Sequence, residues 1–292
     1  MDVMIVENFL DSQTCEELRS EASVYCPKEI GINIHGGRNF IPFSSFYFNV
    51  LLQRSVAWKT LNNRLQSQEF LDWLVAELAP DACDHDLRAT TCYGKRRSKL
   101  TNCIQEETRI RTTSNFLSFR GGKVTKVTFS ILIRLSAYLM EVRRHLIYRY
   151  NRLRGATAVE LLYDYSRASD GYFREIHRDS DERRYVFLLY LNQLDEMAEG
   201  GDLQMFKLKE PTESFPARPS EEECVLVRSC PPKEGCMVVF RNTFDSYHAV
   251  GQMSGHSQDR DFLYGGVTQL GGINPNMQHA RDDMPTEFGL YT

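Results

Sequence analysis

Residues 172–206 read YFREIHRDSDERRYVFLLYLNQLDEMAEGGDLQMF, and this stretch decides the fold. Its centre, Tyr185–Leu191, is an unbroken apolar and aromatic run of strand length. Gly200–Gly201 then punctuates the chain before a second apolar run at 202–206. Working outward, runs of the same texture recur: VELLYDY at 159–165, CVLVRSC at 224–230, CMVVFRN at 236–242, SYHAVGQM at 246–253 and DFLYGGVTQL at 261–270. Each is short, rich in β-branched and aromatic residues, and bounded by Gly, Pro, Asp or Asn. Seven such runs within about 115 residues predict a sandwich, barrel or jelly roll.

The N-terminal side has a different texture. Asp11 and Ser12 can cap a helix over Cys15–Tyr25, with Glu16 and Glu17 placed in its first turn. A second helical pattern runs from Leu61 to Leu78 and stops before Pro80. Between them GINIHGGRNF, 31–40, has the composition of a loop. Tyr93–Lys126 has weak periodicity and reads as irregular, and Val127–Arg152 reads as a long basic amphipathic helix. The expected class is α+β, mainly β. A mainly helical region, 1–158, packs on a β core, 159–270, and a tail follows, 271–292.

With 42% apolar and 25% charged residues and a net charge of −4, the composition is that of a globular protein. No apolar run is long enough to span a membrane, and the first twenty residues lack the pattern of a secretory signal. The eight cysteines form no CxxC pair, so they read as free thiols in a reducing, cytoplasmic setting. Charge is segregated: residues 94–154 hold fifteen Lys and Arg against three Glu, a local +12. Such a segment can serve an acidic partner, although a solvated helix face and a basic loop explain it as well.

The strand-rich half contains His177-Arg178-Asp179, and His248 follows 69 positions after Asp179. In an extended strand, residues i and i+2 face one side. The pair therefore offers an imidazole and a carboxylate to one pocket, and a His on a neighbouring strand can complete the set. Two imidazoles and one carboxylate with open positions are the ligand set of non-haem iron(II) oxygenases. Chance HxD pairs are common on surfaces, so the set alone does not decide.

The surroundings add a resemblance. HxD, a strand ending in Tyr190-Leu191-Asn192, the Glu199-Gly200-Gly201-Asp202-Leu203 turn, the PPKEG segment at 231–235, His248 before Ala249-Val250, and a basic residue beyond it occur in one order. This order resembles the prolyl 4-hydroxylase-like branch of the iron(II)/2-oxoglutarate oxygenases over about Val159–Leu270. Ile5–Leu10, IVENFL, is similar to the family's common opening. The resemblance implies a double-stranded β-helix (jelly-roll) core with N-terminal and backing helices. It implies His177, Asp179 and His248 as ligands of Fe(II), with 2-oxoglutarate and O2 as co-substrates and ascorbate as an auxiliary reductant. Arg260, twelve residues past His248, matches the basic residue that pairs with the distal carboxylate of 2-oxoglutarate. Tyr190 matches a tyrosine on the same carboxylate. Tyr163 matches a tyrosine beside the co-substrate, with Tyr165 as its competitor. Asp179 stands where related halogenases have Gly or Ala, which makes hydroxylation the default outcome.

The favoured function is hydroxylation of a C–H bond of a small molecule, an amino acid or a biosynthetic intermediate, with succinate and CO2 as co-products. Alternatives are a peptidyl (prolyl-type) hydroxylase, a nucleic-acid- or anion-binding protein using the basic segment, and a zinc hydrolase using the same three side chains. The last leaves the Arg260 and Tyr190 matches unexplained, and nucleic acid is disfavoured because the basic loop lacks interleaved aromatics.

Overall fold

Tyr185–Leu191 shows no alternation of apolar and polar residues because both of its faces are covered. In the computed structural model this run lies in β7 (Arg183–Tyr190), whose residues after the first are all buried. It sits between β10 and β12 in the larger of two sheets. The structure describes residues 3–34, 37–43, 45–78, 87–89, 157–194, 199–210 and 215–269, together with Leu146, Tyr150 and Leu153 as single helical positions. The basic segment, apart from those three positions, and the tail from 270 lie outside the described residues, and with them the expectations of an irregular stretch, a basic helix and a C-terminal tail.

In chain order the elements are β1 (Val3–Val6), α1 (Ser12–Tyr25), β2 (Ile32–Ile34), β3 (Arg38–Pro42), α2 (Phe46–Arg54), α3 (Val56–Leu65), α4 (Gln68–Leu78), β4 (Leu87–Ala89), β5 (Thr157–Ala168), β6 (Arg174–His177), β7, β8 (Leu203–Leu208), β9 (Cys224–Cys230), β10 (Met237–Arg241), β11 (Tyr247–Val250) and β12 (Arg260–Gln269). The major sheet has the order β1-β10-β7-β12-β5-β3-β2, with β4 added in parallel to β5. The minor sheet has the order β6-β11-β8-β9. All other pairings are antiparallel. β7 and β8 lie in different sheets, so Gly200–Gly201 is a crossing between sheets and not a hairpin turn. Both glycines take φ of +79°, and a Cβ on Gly200 would meet the carbonyl of Gln252 at 1.8 Å. Two mostly antiparallel sheets facing each other, with the strands from β5 on alternating between them except for the β8–β9 pair, make the mainly β, jelly-roll architecture.

The faces of the major sheet divide by parity. Odd residues of β5 and β7, such as Leu161, Tyr163, Tyr165, Phe187 and Leu189, join α1–α4 in one apolar cluster that includes Leu18, Phe48, Trp58 and Leu74. Even residues, such as Val186, Leu188 and Tyr190, face the minor sheet and pack with Leu203, Met205 and Phe262. Trp58 is fully buried, its ring stands against Phe48 and Tyr165, and its Nε1 donates to the Leu18 carbonyl at 2.8 Å.

Four details differ from the sequence reading. α1 begins at Ser12 with Asp11 as its cap, accepting from Thr14 N at 2.7 Å, so Glu16 and Glu17 fall beyond the first turn. The 61–78 pattern belongs to two helices: Ser67 interrupts it and accepts from Phe70 N at 3.0 Å. Residues 32–34 and 38–40 are not loop but lie in the paired strands β2 and β3, where the turn composition of the stretch masks the strand-forming Ile32, Ile34, Phe40 and Ile41. Finally, β1–β4 all enter the major sheet, so the sheet begins at Val3 and not at 159.

Candidate active site

Three side chains meet between the sheets. His177 ends β6 and is the register partner of His248 on β11, and their ring centroids lie 4.3 Å apart. Asp179 lies past the end of β6, so strand alternation does not place it. The turn is tied down instead by Arg178 N, which donates to the Ala217 carbonyl at 3.0 Å, and by the contacts of Asp179 itself. One ligand atom each from His177, Asp179 and His248 lie within 4.8 Å of one another.

The hydrogen bonds fix which atoms face the centre. His177 Nδ1 stands 2.8 Å from the Glu175 carbonyl, and His248 Nδ1 stands 3.3 Å from that of Ser246. A carbonyl only accepts, so each Nδ1 carries the proton and each Nε2 is left with its lone pair. Burial, and then the neighbouring His248, pull the His177 pKa down to about 3, and burial lowers that of His248 as well. Asp179 Oδ1 accepts from Tyr264 OH at 2.7 Å and pairs with Arg183 Nη1 at 3.5 Å. Oδ2 is buried, has no hydrogen-bond donor and lies 3.7 Å from His248 Nε2. Burial alone would raise this carboxyl, but Arg183 and the two imidazoles outweigh it and hold the pKa at about 2. Two neutral imidazoles and one carboxylate oxygen without a donor form a set that a divalent cation completes.

Arg260 closes the inner end of the same cavity. It is fully buried, its Nη1 donates to the Gly201 carbonyl, and its Nε and Nη2 have no partner. Its guanidinium carbon lies 4.7 Å from the centroid of the Phe262 ring and 5.8 Å from that of Tyr190. The Tyr190 hydroxyl is likewise buried without a partner, and burial raises its pKa. Asp259 and Asp261 do not compensate Arg260: Asp259 pairs with Lys28 at 2.7 Å, and Asp261 with Arg167 at 3.4 Å. A buried cation with two unused donor atoms beside an unused hydroxyl fits an anionic, oxygen-rich ligand.

Tyr163 does not reach this cavity. As an odd residue of β5 it faces the helices, its ring 5.1 Å from that of Phe43, and its hydroxyl donates to Asn62 Oδ1 at 2.9 Å. Tyr165 faces the same way and donates to Asp261 Oδ1 at 2.7 Å. The cavity, about 330 Å3, is lined instead by residues that sequence reasoning passed over, among them Arg38, Tyr172, Arg174, Phe262 and Tyr264. Counting in twos along β12 from Arg260 leads to Phe262 and Tyr264, a signal present in the sequence. Arg38, on a hairpin read as a loop, gave none.

The fold and site define a class: a jelly roll with two histidines and an aspartate converging between its sheets. Residues 162–261 match the family model described as the 2OG-Fe(II) oxygenase superfamily. No curated protein matches the chain. Similar solved structures include a prolyl-4-hydroxylase of Pseudomonas putida, at 14% identity and a TM-score of 0.40, covering 91% of this chain and 92% of the other. A prolyl 4-hydroxylase of Phytophthora capsici is 14% identical with a TM-score of 0.47, covering 94% and 60%. A prolyl hydroxylase of Trichoplax adhaerens, solved with a hypoxia inducible factor oxygen degradation domain peptide fragment, is 10% identical with a TM-score of 0.41, covering 97% and 88%. Among the described residues no helix is long and apolar enough to cross a membrane.

Proposed function

We propose that this chain hydroxylates a C–H bond of a small molecule, with His177, Asp179 and His248 holding Fe(II) and Arg260 with Tyr190 holding the distal carboxylate of 2-oxoglutarate. The observation that carries the reading is the buried guanidinium of Arg260, left without an anion in the cavity that the three ligand side chains share. When bound, the iron supplies the oxidising chemistry that converts 2-oxoglutarate and O2 to succinate and CO2 and delivers oxygen to the substrate.

The protein's own part is position and exclusion of water. Nε2 of each imidazole and Oδ2 of Asp179 point to one centre, while Tyr264 and Arg183 occupy Oδ1 and fix the carboxylate plane. The fork of Arg260 suits two carboxylate oxygens, and the Tyr190 hydroxyl supplies a third donor. Leu188, Leu203, Val250 and Phe262 supply the apolar part of the wall beside the oxidising centre. A volume of about 330 Å3, which the co-substrate also shares, supports a small substrate.

A second reading, a peptide side chain as substrate, draws on one observation. Arg174 and Val250 also line a neighbouring groove of about 730 Å3 with Phe173, Gln204, Arg218 and Gln252, where an extended chain could lie. Purified protein with Fe(II), ascorbate and 2-oxoglutarate should release succinate, and His177→Ala and Asp179→Ala should abolish that release with the fold intact. Native-level release from both variants would refute the ligand assignment.

A further inference from the structure

We propose that the cavity holds a second anion position, built by Arg38 with Arg174 at the rim, and that the substrate is a small molecule bearing a carboxylate. This rests on the oxygenase reading above and adds the chemical class of the substrate. Four arginines line the cavity, Arg38, Arg174, Arg178 and Arg260, and among its described lining residues Asp179 is the only carboxylate. In that reading Asp179 is committed to the metal and Arg260 to the co-substrate. Arg38, Arg174 and Arg178 then border the space left for the substrate, in a chain whose net charge is −4.

Arg38 is held as a fixed donor and not as a swinging surface side chain. Its Nε donates to Ser166 Oγ at 3.0 Å, and its Nη2 to Asp164 Oδ1 at 2.6 Å. Its guanidinium carbon lies 4.9 Å from the Tyr264 ring centroid and 5.5 Å from that of Phe262. Tyr264 in turn contacts Asp179, so Arg38 stands one aromatic ring away from the metal ligands. Arg178, in the turn after β6, is fixed by the Phe244 carbonyl at 3.3 Å and by Asp181 at 3.3 Å. Asp164 and Asp181, the carboxylates that hold these arginines, do not line the cavity. The charged groups on the cavity side of these pairs are therefore guanidiniums. A cleft with low-dielectric walls focuses such a field, and a planar guanidinium held in one orientation matches a carboxylate better than a phosphate-sized group in so small a space.

The experiment uses the full chain with Fe(II), ascorbate and saturating 2-oxoglutarate. Succinate release is measured with the free L-amino acids and short aliphatic acids, each against its own primary amide, and with one acidic peptide. The expected result is that at least one free acid accelerates release with at least a tenfold preference over its amide. In Arg38→Gln that preference should fall to near unity; Arg174→Gln serves if Arg38→Gln does not fold. Release that depends on iron and 2-oxoglutarate but responds equally to acid and amide, responds to no acid, or responds only to the peptide overturns the inference and leaves the oxygenase reading standing. An acid preference unchanged in the arginine variant overturns it as well. Absence of any iron-dependent succinate overturns both, which separates the two failures.

Discussion

The phenolic oxygen of Tyr264 stands 2.7 Å from Oδ1 of Asp179, and Arg183 touches both groups. The Tyr264 ring lies between two guanidiniums, with Arg183 at 4.8 Å and Arg38 at 4.9 Å from its centroid. One oxygen of the carboxylate is thus fully engaged by the protein and the other is left for a cation. In the proposed metal site a single metal-facing oxygen would be set by Tyr264 of β12 and Arg183 of β7, not by the HxD turn.

Removing that hydroxyl should therefore act on the metal before it acts on the fold. Tyr264→Phe keeps the ring between its two arginines and deletes only the donor to Asp179. Loss of such a partner lowers metal affinity by roughly 10- to 100-fold. Titration of the apoprotein with Mn(II), read by electron paramagnetic resonance, should show that drop with little change in the melting temperature. Equal Mn(II) affinity in the two proteins would mean that Arg183 alone orients the carboxylate.

Arg260→Leu separates binding from stability. The guanidinium is buried without an anion, so its loss should cost the ligand-free protein little or even stabilise it. The 2-oxoglutarate requirement should rise by about 1.5–3 kcal/mol, a lost charge-assisted pair. Addition of 2-oxoglutarate to the Mn(II)-loaded protein should raise the melting temperature of the wild type and much less that of the variant. An identical ligand-induced rise in both would point to another anchor for the carboxylate.

Tyr163 should be silent toward 2-oxoglutarate. Tyr163→Phe removes the bond to Asn62 on the helix side of the sheet and should cost stability of about 1 kcal/mol. The concentration of 2-oxoglutarate giving half-maximal succinate release should not move. A several-fold increase would contradict the orientation of β5.

That orientation marks where the sequence stopped being legible. The spacing of His177, Asp179 and His248 was visible because a short motif and a paired strand bring them together, and Arg260 because it sits a fixed distance along the chain from His248. The parity of β5 was not visible. Its residues from Ala158 on are mostly buried, so burial alone does not tell which face carries Tyr163 and which carries Asp164. Only the helices of the N-terminal half settle it, because Phe48 and Trp58 claim the odd side. Arg38 was hidden for another reason: the glycines between β2 and β3 signal a turn, and strands of three and five residues are too short to show a period.

The two histidines should also shape acid stability. The His177 pKa lies at about 3 in the folded chain, held down first by burial, against 6.5 for an ordinary imidazole. Between these values the unfolded chain binds a proton that the folded chain refuses, so stability rises with pH there. For the metal-free protein the contribution is complete above about pH 6.5 and is lost as the pH falls toward 3, by at most about 1.4 kcal/mol per pH unit for this one group. Asp179, lowered to about 2 against its ordinary 3.8, acts in the same sense at still lower pH. Urea unfolding from pH 7.5 to 4.5 should show the midpoint of the wild type falling more steeply than that of His177→Gln, which has no imidazole to protonate at this position. Parallel slopes would mean that His177 takes up its proton as freely in the folded chain as in the unfolded one, and so is not shut away from water between the sheets.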